Sequence, residues 1–180
     1  LSEARDEEGC RSYAMLLIFL STGMRVSELV GLKITDFRRD DLGFFVSFYR
    51  PKRRDRHTIR LSLSSFVKIR RAIIRYHRVA MIERHLRRHV FWSRKHRREG
   101  SRLSDQRTKL VARSVQRIVN SWSLMNGLGQ YIARHGLRHH VCIQATRNYD
   151  FIYAQKLLGH ADPKTTAEFY TDRSVQAIEV

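Results

Sequence analysis

At 180 residues the chain suits a single domain that buries a substantial core without staples. Lys plus Arg number 35 against 17 Asp plus Glu, a formal charge of +18 with a pI near 11.0, which points to a polyanionic partner. With 42% hydrophobic residues and two prolines, the composition excludes a disordered basic tail of the ribosomal or chromatin type.

Ser2 to Leu20 opens on an acidic turn of Glu3, Asp6, Glu7 and Glu8 and continues apolar, which predicts a buried helix entered on its favourable dipole end. Its longest apolar run, Tyr13 to Leu20, is far too short to span a membrane; neither a span nor a signal peptide is legible, so a soluble, membrane-free protein is expected. Ser21-Thr22-Gly23 breaks the helix, and Arg25 to Leu32 reads as a short second one ending near Gly31, with Arg25 at its start. Phe44 to Tyr49 and His57 to Leu61 alternate apolar and polar residues around Pro51-Lys52-Arg53-Arg54-Asp55, a β-hairpin with a basic tip. Ser64 or Ser65 is the expected cap of a third helix that buries Phe66, Ile69, Ile73, Tyr76 and Ala80 and turns its arginines outward.

The charged stretch Arg84 to Arg102 reads as a basic connection anchored by an apolar strand or plug at Val90-Phe91-Trp92. Val111, Val115, Ile118, Trp122 and Met125 mark the stripe of a helix that Asn126 and Gly127 close. Three short helices follow over His135 to Arg147, Phe151 to Leu158 and about Pro163 to Tyr170, the last begun by Asp162 and Pro163. The fold class is mainly α with a small antiparallel β-hairpin or sheet. Cys10 and Cys142 both fall in apolar-periodic stretches and read as reduced, packed thiols.

One stretch carries residue types that suggest a reaction. From Tyr131 onward His135, Arg138, His160 and Tyr170 stand in order, with Leu157-Leu158-Gly159 before the third. Two imidazoles, a guanidinium and a phenol suit a phosphodiester held beside a protein nucleophile. His135 and Arg138 are three residues apart and share a helix face; Gly159 ends a helix and turns His160 out of it. Each has an ordinary structural alternative: Arg25 can simply pair with Glu28, Lys52 can be part of a solvated turn, His160 can cap a helix, and Tyr170 is one of seven tyrosines, with Tyr149 and Tyr153 as alternative nucleophiles. Nine histidines, with His85 and His89 four apart, raise zinc, but no close-spaced cysteine ligand pair and no HExxH pattern accompany them, so no metal site is expected.

Thr-Gly-Met-Arg25-Val-Ser-Glu-Leu, Lys52 in the hairpin, His135-Gly-Leu-Arg138-His139, Leu157-Leu158-Gly159-His160 and Tyr170 together resemble the catalytic domain of the tyrosine recombinase (phage integrase) family, in order from about residue 5 to residue 172. The resemblance implies that fold over residues 1–180, with no segment in the place of the family's N-terminal core-binding domain. It implies site-specific cleavage and rejoining of double-stranded DNA at a crossover site, through a 3′-phosphotyrosyl intermediate formed by Tyr170, for integration, excision or resolution. Arg25 and Arg138 then grip the phosphate, His135 and His160 hold it and exchange protons, and Lys52 protonates the leaving 5′ oxygen. Arg50, Arg53, Arg54 and Arg56 are expected DNA contacts.

The resemblance further implies action without metal, ATP or another cofactor, as a homo-oligomer, a tetramer on two DNA sites, in the DNA-associated cytoplasm. Two departures stand out: Pro51 and Arg53 replace the family's glycines around the lysine, and Asn148-Tyr149 replaces a glycine after the His135 helix, where Asn148 is expected to take the left-handed turn. The rival readings are a type IB topoisomerase-like swivelase, which rejoins the original strand, and a non-catalytic DNA-binding protein.

Overall fold

The computed structural model describes residues 3–82, 88–93, 109–122 and 134–159, the last of these from residue 136 onward for side chains. Helix α1 (Glu7–Thr22) begins where the Asp6 carboxylate accepts from the Gly9 amide, and it ends on Gly23, whose left-handed φ of 61° lets its amide return to the Phe19 carbonyl. Met15, Ile18 and Phe19 carry the buried side of α1, which packs on α3 (Leu63–Val79) and on α5 (Arg134–Asn148).

The second helix is shorter than its pattern predicts. Helix α2 covers Val26–Leu29 alone, one turn, because the chain then leaves to pair elsewhere: the Leu32 carbonyl accepts from the Val90 amide, and Lys33 bridges His89. The plug itself is as expected, with Val90, Phe91 and Trp92 all buried. The Tyr76 hydroxyl donates to the Trp92 carbonyl and accepts from the Trp92 amide, both at 3.3 Å, and His77 Nε2 donates to the Val90 carbonyl at 2.8 Å.

The hairpin is present and gains a strand that alternation did not reveal. β1 (Phe37–Asp40), β2 (Gly43–Arg50) and β3 (Asp55–Leu61) form an antiparallel sheet in that order. β1 reads Phe-Arg-Arg-Asp, exposed beyond its first residue, which is how a protected edge strand looks and why a hydrophobic search passes over it. Facing pairs on the inner side of β2 and β3 run Phe44–Leu61, Val46–Ile59, Phe48–His57 and Arg50–Asp55, so the hairpin changes from apolar to ionic as it leaves the core.

Ser62, not Ser64 or Ser65, caps α3: its hydroxyl accepts from the Ser65 amide at 3.1 Å and pairs with the Ser65 hydroxyl at 3.0 Å. The predicted stripe Phe66, Ile69, Ile73, Tyr76 and Ala80 is buried throughout. Helix α4 (Ala112–Ser121) buries Val115 and Val119; Val111 precedes it as an exposed N-cap, and Trp122 ends it. Met125, Asn126 and Gly127, expected to close that helix, lie outside the described residues, as do the helix expected over Pro163 to Tyr170 and most of Arg84 to Arg102.

Helix α6 (Phe151–Leu158) starts on Asp150, whose carboxylate accepts from the Tyr153 amide at 2.5 Å. It packs on α5 through Val141, Cys142, Ala145, Ala154 and Leu158. Asn148 does not adopt a positive φ, so the α5–α6 turn forms without the left-handed residue expected there. Both Cys10 and Cys142 are buried free thiols, as their apolar settings predict.

Met81 ends α3 at φ 49° with 79% of its surface exposed, and the Ile82 amide returns to the His77 carbonyl in the manner of a helix C-terminus normally closed by glycine. Met81→Gly should remove that left-handed strain without losing a packed side chain and raise stability by about 1 kcal/mol, read as a thermal midpoint higher by roughly 2–4 °C.

Candidate active site

The site assembles where two helices end. Every α-helix leaves its last carbonyls without intrahelical donors, and each end must find partners elsewhere. At the end of α6 the accounting closes: the Gly159 amide returns to the Gln155 and Lys156 carbonyls, His57 Nε2 donates to Leu157 O at 2.9 Å, Arg138 Nη2 donates to Leu158 O at 2.7 Å, and Arg50 Nη1 donates to Gly159 O at 3.4 Å. Three side chains from β3, α5 and β2 thus hold three successive carbonyls of the Leu-Leu-Gly run directly before His160.

Gly159 is required twice there. Its φ of 61° is left-handed, and a Cβ at this position would lie 2.0 Å from Arg50 Nη1. Gly23, at the end of α1, is matched to it: a Cβ there would lie 2.4 Å from Leu158 Cδ2. Arg138 joins the two helix ends, donating from Nη1 to the Gly23 carbonyl at 2.5 Å as well as to Leu158. The negative end of each helix dipole faces this guanidinium.

Arg25 enters the same cleft from the start of α2. Glu28, almost fully buried, holds it at two points: its carboxylate accepts from the Arg25 amide at 2.6 Å and from Arg25 Nη1 at 3.0 Å. The pairing that offered an ordinary explanation for Arg25 is therefore real, and it also fixes the arginine's direction, because Arg25 still lines a cleft of about 300 Å³ with Met24, Ser27, Gln116, Leu137 and Arg138. Burial, and next the charge of Arg25, bring the Arg138 guanidinium down to about 10, still protonated at neutral pH. A guanidinium has more donors than two carbonyls consume, so this group can serve the helix ends and an anion in the cleft together.

Lys52 lies at the exposed tip of the hairpin, between Pro51 and Arg53. The Arg53 and Arg54 amides both return to the Arg50 carbonyl, at 3.1 and 2.8 Å, and the left-handed position of the turn falls on Arg54 at φ 56°. Proline fits the first position of such a turn, so the replaced glycines leave a closed loop. Arg53 and Arg54 are exposed, as a DNA-facing role needs. Arg56 keeps 57% of its side chain exposed while donating to the Asp36 carboxylate at 2.6 Å and the Ser47 carbonyl.

Arg50, an expected DNA contact, is placed differently from Arg53 and Arg54. It is buried at 6% exposure, with a bidentate pair to Asp55 and its remaining reach directed to Gly159. The arginine holds the Asp55 carboxyl below its ordinary range. His135 falls within α5, one turn before Arg138; its side chain, and all of His160 and Tyr170, lie outside the described residues.

Sequence reasoning did not single out His57 or the inward role of Arg50, although the alternation contained both. His57 shares the strand face of Ile59 and Leu61, and Arg50 that of Val46 and Phe48. A polar residue on an otherwise buried strand face is the signal that identifies them.

A model of the phage integrase family matches residues 1–177. The chain belongs to the phage integrase family. It is 30% identical over 176 residues to the tyrosine recombinase XerC of Escherichia coli O127:H6, covering 97% of this chain and 52% of that protein. It is 27% identical to XerC of Psychromonas ingrahamii over 180 residues, again 97% and 52% of the two chains. The chain thus spans about half the length of the curated relatives it matches.

Among solved structures, XerA recombinase superposes with a TM-score of 0.66 at 22% identity, over 92% of this chain and 53% of that one. XerH site-specific recombinase bound to its difH substrate gives 0.64 at 20% identity, over 93% and 44%. A lambda integrase dimer bound to a COC′ core site gives 0.61 at 17% identity, over 95% and 45%. At these identities the likeness establishes the fold: the mainly helical chain with its small antiparallel sheet has the phage integrase catalytic-domain architecture.

His57 is half-buried, edge-on to Phe48, and must carry its proton on Nε2 to donate to Leu157. Burial holds its pKa below the ordinary 6.5, so the unfolded chain takes up a proton more readily than the folded one. The stability from this group is complete above about pH 6.5 and falls as pH drops through the lower folded value. His57→Gln keeps an N–H for Leu157 and does not titrate; denaturant midpoints between pH 5 and pH 7 should fall less steeply for this variant than for the parent.

Proposed function

We propose that this chain is the catalytic domain of a site-specific DNA recombinase that cleaves and rejoins DNA through a phosphotyrosyl bond. The observation that carries the reading is the pair of guanidiniums: Arg138, fixed by the Gly23 and Leu158 carbonyls, and Arg25, fixed by Glu28, line one cleft. Groups immobilised in advance and aimed at one volume are what a transferring phosphoryl group requires, because they need no reorganisation as its charge grows. A wholly exposed basic surface, sufficient for binding alone, needs no such arrangement.

In this mechanism the Tyr170 oxygen attacks the phosphorus of a DNA phosphodiester. A Tyr–O–P bond forms at the 3′ side while the bond to the 5′ oxygen breaks, and Lys52 gives that oxygen its proton; arginine stays charged at any usable pH and cannot serve. Arg25 and Arg138 neutralise the phosphoryl oxygens, and His135 and His160 bond to the phosphate, one of the two imidazoles taking the single phenol proton. Attack by the 5′ hydroxyl of another strand reverses the step and exchanges strands. The covalent link conserves the bond energy, so the chemistry calls for neither ATP nor a divalent metal.

Membership of the phage integrase family supports this reading, as do the relatives: XerC is named a tyrosine recombinase, and the XerH and lambda integrase structures hold DNA. By the same likeness, double-stranded DNA at a crossover site is the partner, the working form is an oligomer of this chain, a tetramer on two sites, and the place of action is the DNA of the cytoplasm.

A nicked suicide duplex bearing the cognate crossover site traps the covalent product. The wild-type chain should give a protein–DNA adduct and Tyr170→Phe none; an adduct that persists in Tyr170→Phe overturns the assignment of the nucleophile, and no adduct from the wild type on a verified site favours a non-catalytic DNA-binding protein. Arg138→Lys should slow adduct formation on the order of 10²–10³-fold while binding the duplex within about threefold, since one ammonium cannot reproduce the fork. Recombinant joints, as opposed to relaxation of supercoils, separate a recombinase from a swivelase.

A further inference from the structure

Arg50 stands at a junction of the hairpin and the end of α6. Its carbonyl accepts from the Arg53 and Arg54 amides and so closes the loop containing Lys52. Its guanidinium is paired with Asp55 across the base of that loop and reaches the Gly159 carbonyl, one residue before His160. Only 8% of the side chain is exposed, and the ring of His57, facing Phe48 two rungs down the hairpin, holds the neighbouring Leu157 carbonyl. The absence of a side chain at Gly159 is what admits the guanidinium, since a Cβ there would lie 2.0 Å from Nη1. Hairpin and helix end are thus tied at two points around a cleft of about 360 Å³ lined by Arg50, Arg53, His57, Gln155, Lys156 and Gly159.

We infer that Arg50 is a positioning residue, not a DNA contact: the Asp55–Arg50–Gly159 clasp sets the Lys52 loop in register with the α6 end from which His160 departs. With 8% of the side chain exposed and Nε, Nη1 and Nη2 each already bonded to a carboxylate or a carbonyl, this fork offers a DNA backbone little surface, whereas its two attachments, Asp55 and Gly159, lie three residues from Lys52 and one from His160. Displacing a general acid by about 1 Å costs on the order of 10²-fold in rate with binding intact. The inference rests on the proposed role of Lys52, and its test separates the two.

The discriminating probe is a pair of suicide duplexes identical except that one carries sulfur in place of the bridging 5′ oxygen at the cleavage site. A thiolate leaves without a proton donor, so Lys52→Ala should lose on the order of 10²-fold or more on the oxygen substrate and little on the sulfur one. Arg50→Gln should show the same pattern in weaker form, about tenfold slower on oxygen and within about threefold on sulfur, with duplex affinity and its salt slope unchanged. Arg50→Lys should behave like Arg50→Gln, because a single ammonium does not span Asp55 and Gly159.

Equal losses on both substrates, or a salt slope reduced by about one, would return Arg50 to the DNA contacts and overturn the inference. If the wild-type chain forms no adduct with either duplex, the recombinase reading fails while the clasp does not. It is then decided by hydrogen exchange: Arg50→Gln should expose the amides of Arg53, Arg54 and Gly159 at least about tenfold faster than the parent, with the core of α3 unchanged, and unaltered exchange at those amides overturns it.

Discussion

The constraint on which the rest depends is the end of α6, where three successive carbonyls, those of Leu157, Leu158 and Gly159, emerge into partly buried surroundings. A buried carbonyl left unpaired costs about 1–3 kcal/mol, so the end of this helix can exist here only if donors arrive from outside it. They come from His57 on β3, Arg138 on α5 and Arg50 on β2. Satisfying one helix end therefore fixes the relative placement of the hairpin, α5 and α6. The Leu-Leu-Gly run supplies the geometry: Leu158 packs against Gly23 and the α5 side chains, and Gly159 turns left-handed where any larger residue meets Arg50.

The same arrangement explains how two arginines coexist at close range. Bringing Arg25 and Arg138 to one cleft is unfavourable, and the lowered pKa of Arg138 records that burial and like-charge repulsion act on it. Two things offset the cost. Glu28 places a buried carboxylate beside Arg25, and the carbonyls of Gly23 and Leu158 place the negative ends of two helices on Arg138. Neither partner neutralises the cleft side of the guanidiniums. In the recombinase proposed above, an anionic phosphate entering the cleft would relieve the residual positive potential, and part of the stability withheld from the free protein would return as affinity for it.

Much of this was legible in the chain, and the limits have physical causes. Buried helices with a strong period, such as α3, and helices bounded by Asp and Gly, such as α6, match their patterns closely. α2 was expected to run to Leu32 because its residues favour a helix, but tertiary pairing of Leu32 and Lys33 with the Val90 plug ends it after one turn. β1 was missed because an edge strand made of Arg, Arg and Asp carries no apolar alternation. Arg25 and Arg138 stand out as candidates by their local contexts, yet nothing in either context states that a glycine carbonyl from one helix and a leucine carbonyl from another would orient the second. Long-range carbonyl contacts leave no local trace.

Arg50 shows why counting charge is a poor guide to an interface. The formal +18 treats each arginine alike, and the basic tip appears as a uniform run of Arg50, Lys52, Arg53, Arg54 and Arg56. Strand parity divides that run. Arg50 continues the inward face of Val46 and Phe48, while Arg53 and Arg54, in the turn, are released from parity and exposed. An inward arginine survives only where a carboxylate and a carbonyl await it, which Asp55 and Gly159 provide. Part of the basic surplus is thus held in internal pairs, and the exposed positive charge is smaller and more localised than the total implies. Arginine suits both tasks for one reason: its planar fork binds two acceptors in fixed directions, whether they are backbone carbonyls or phosphate oxygens.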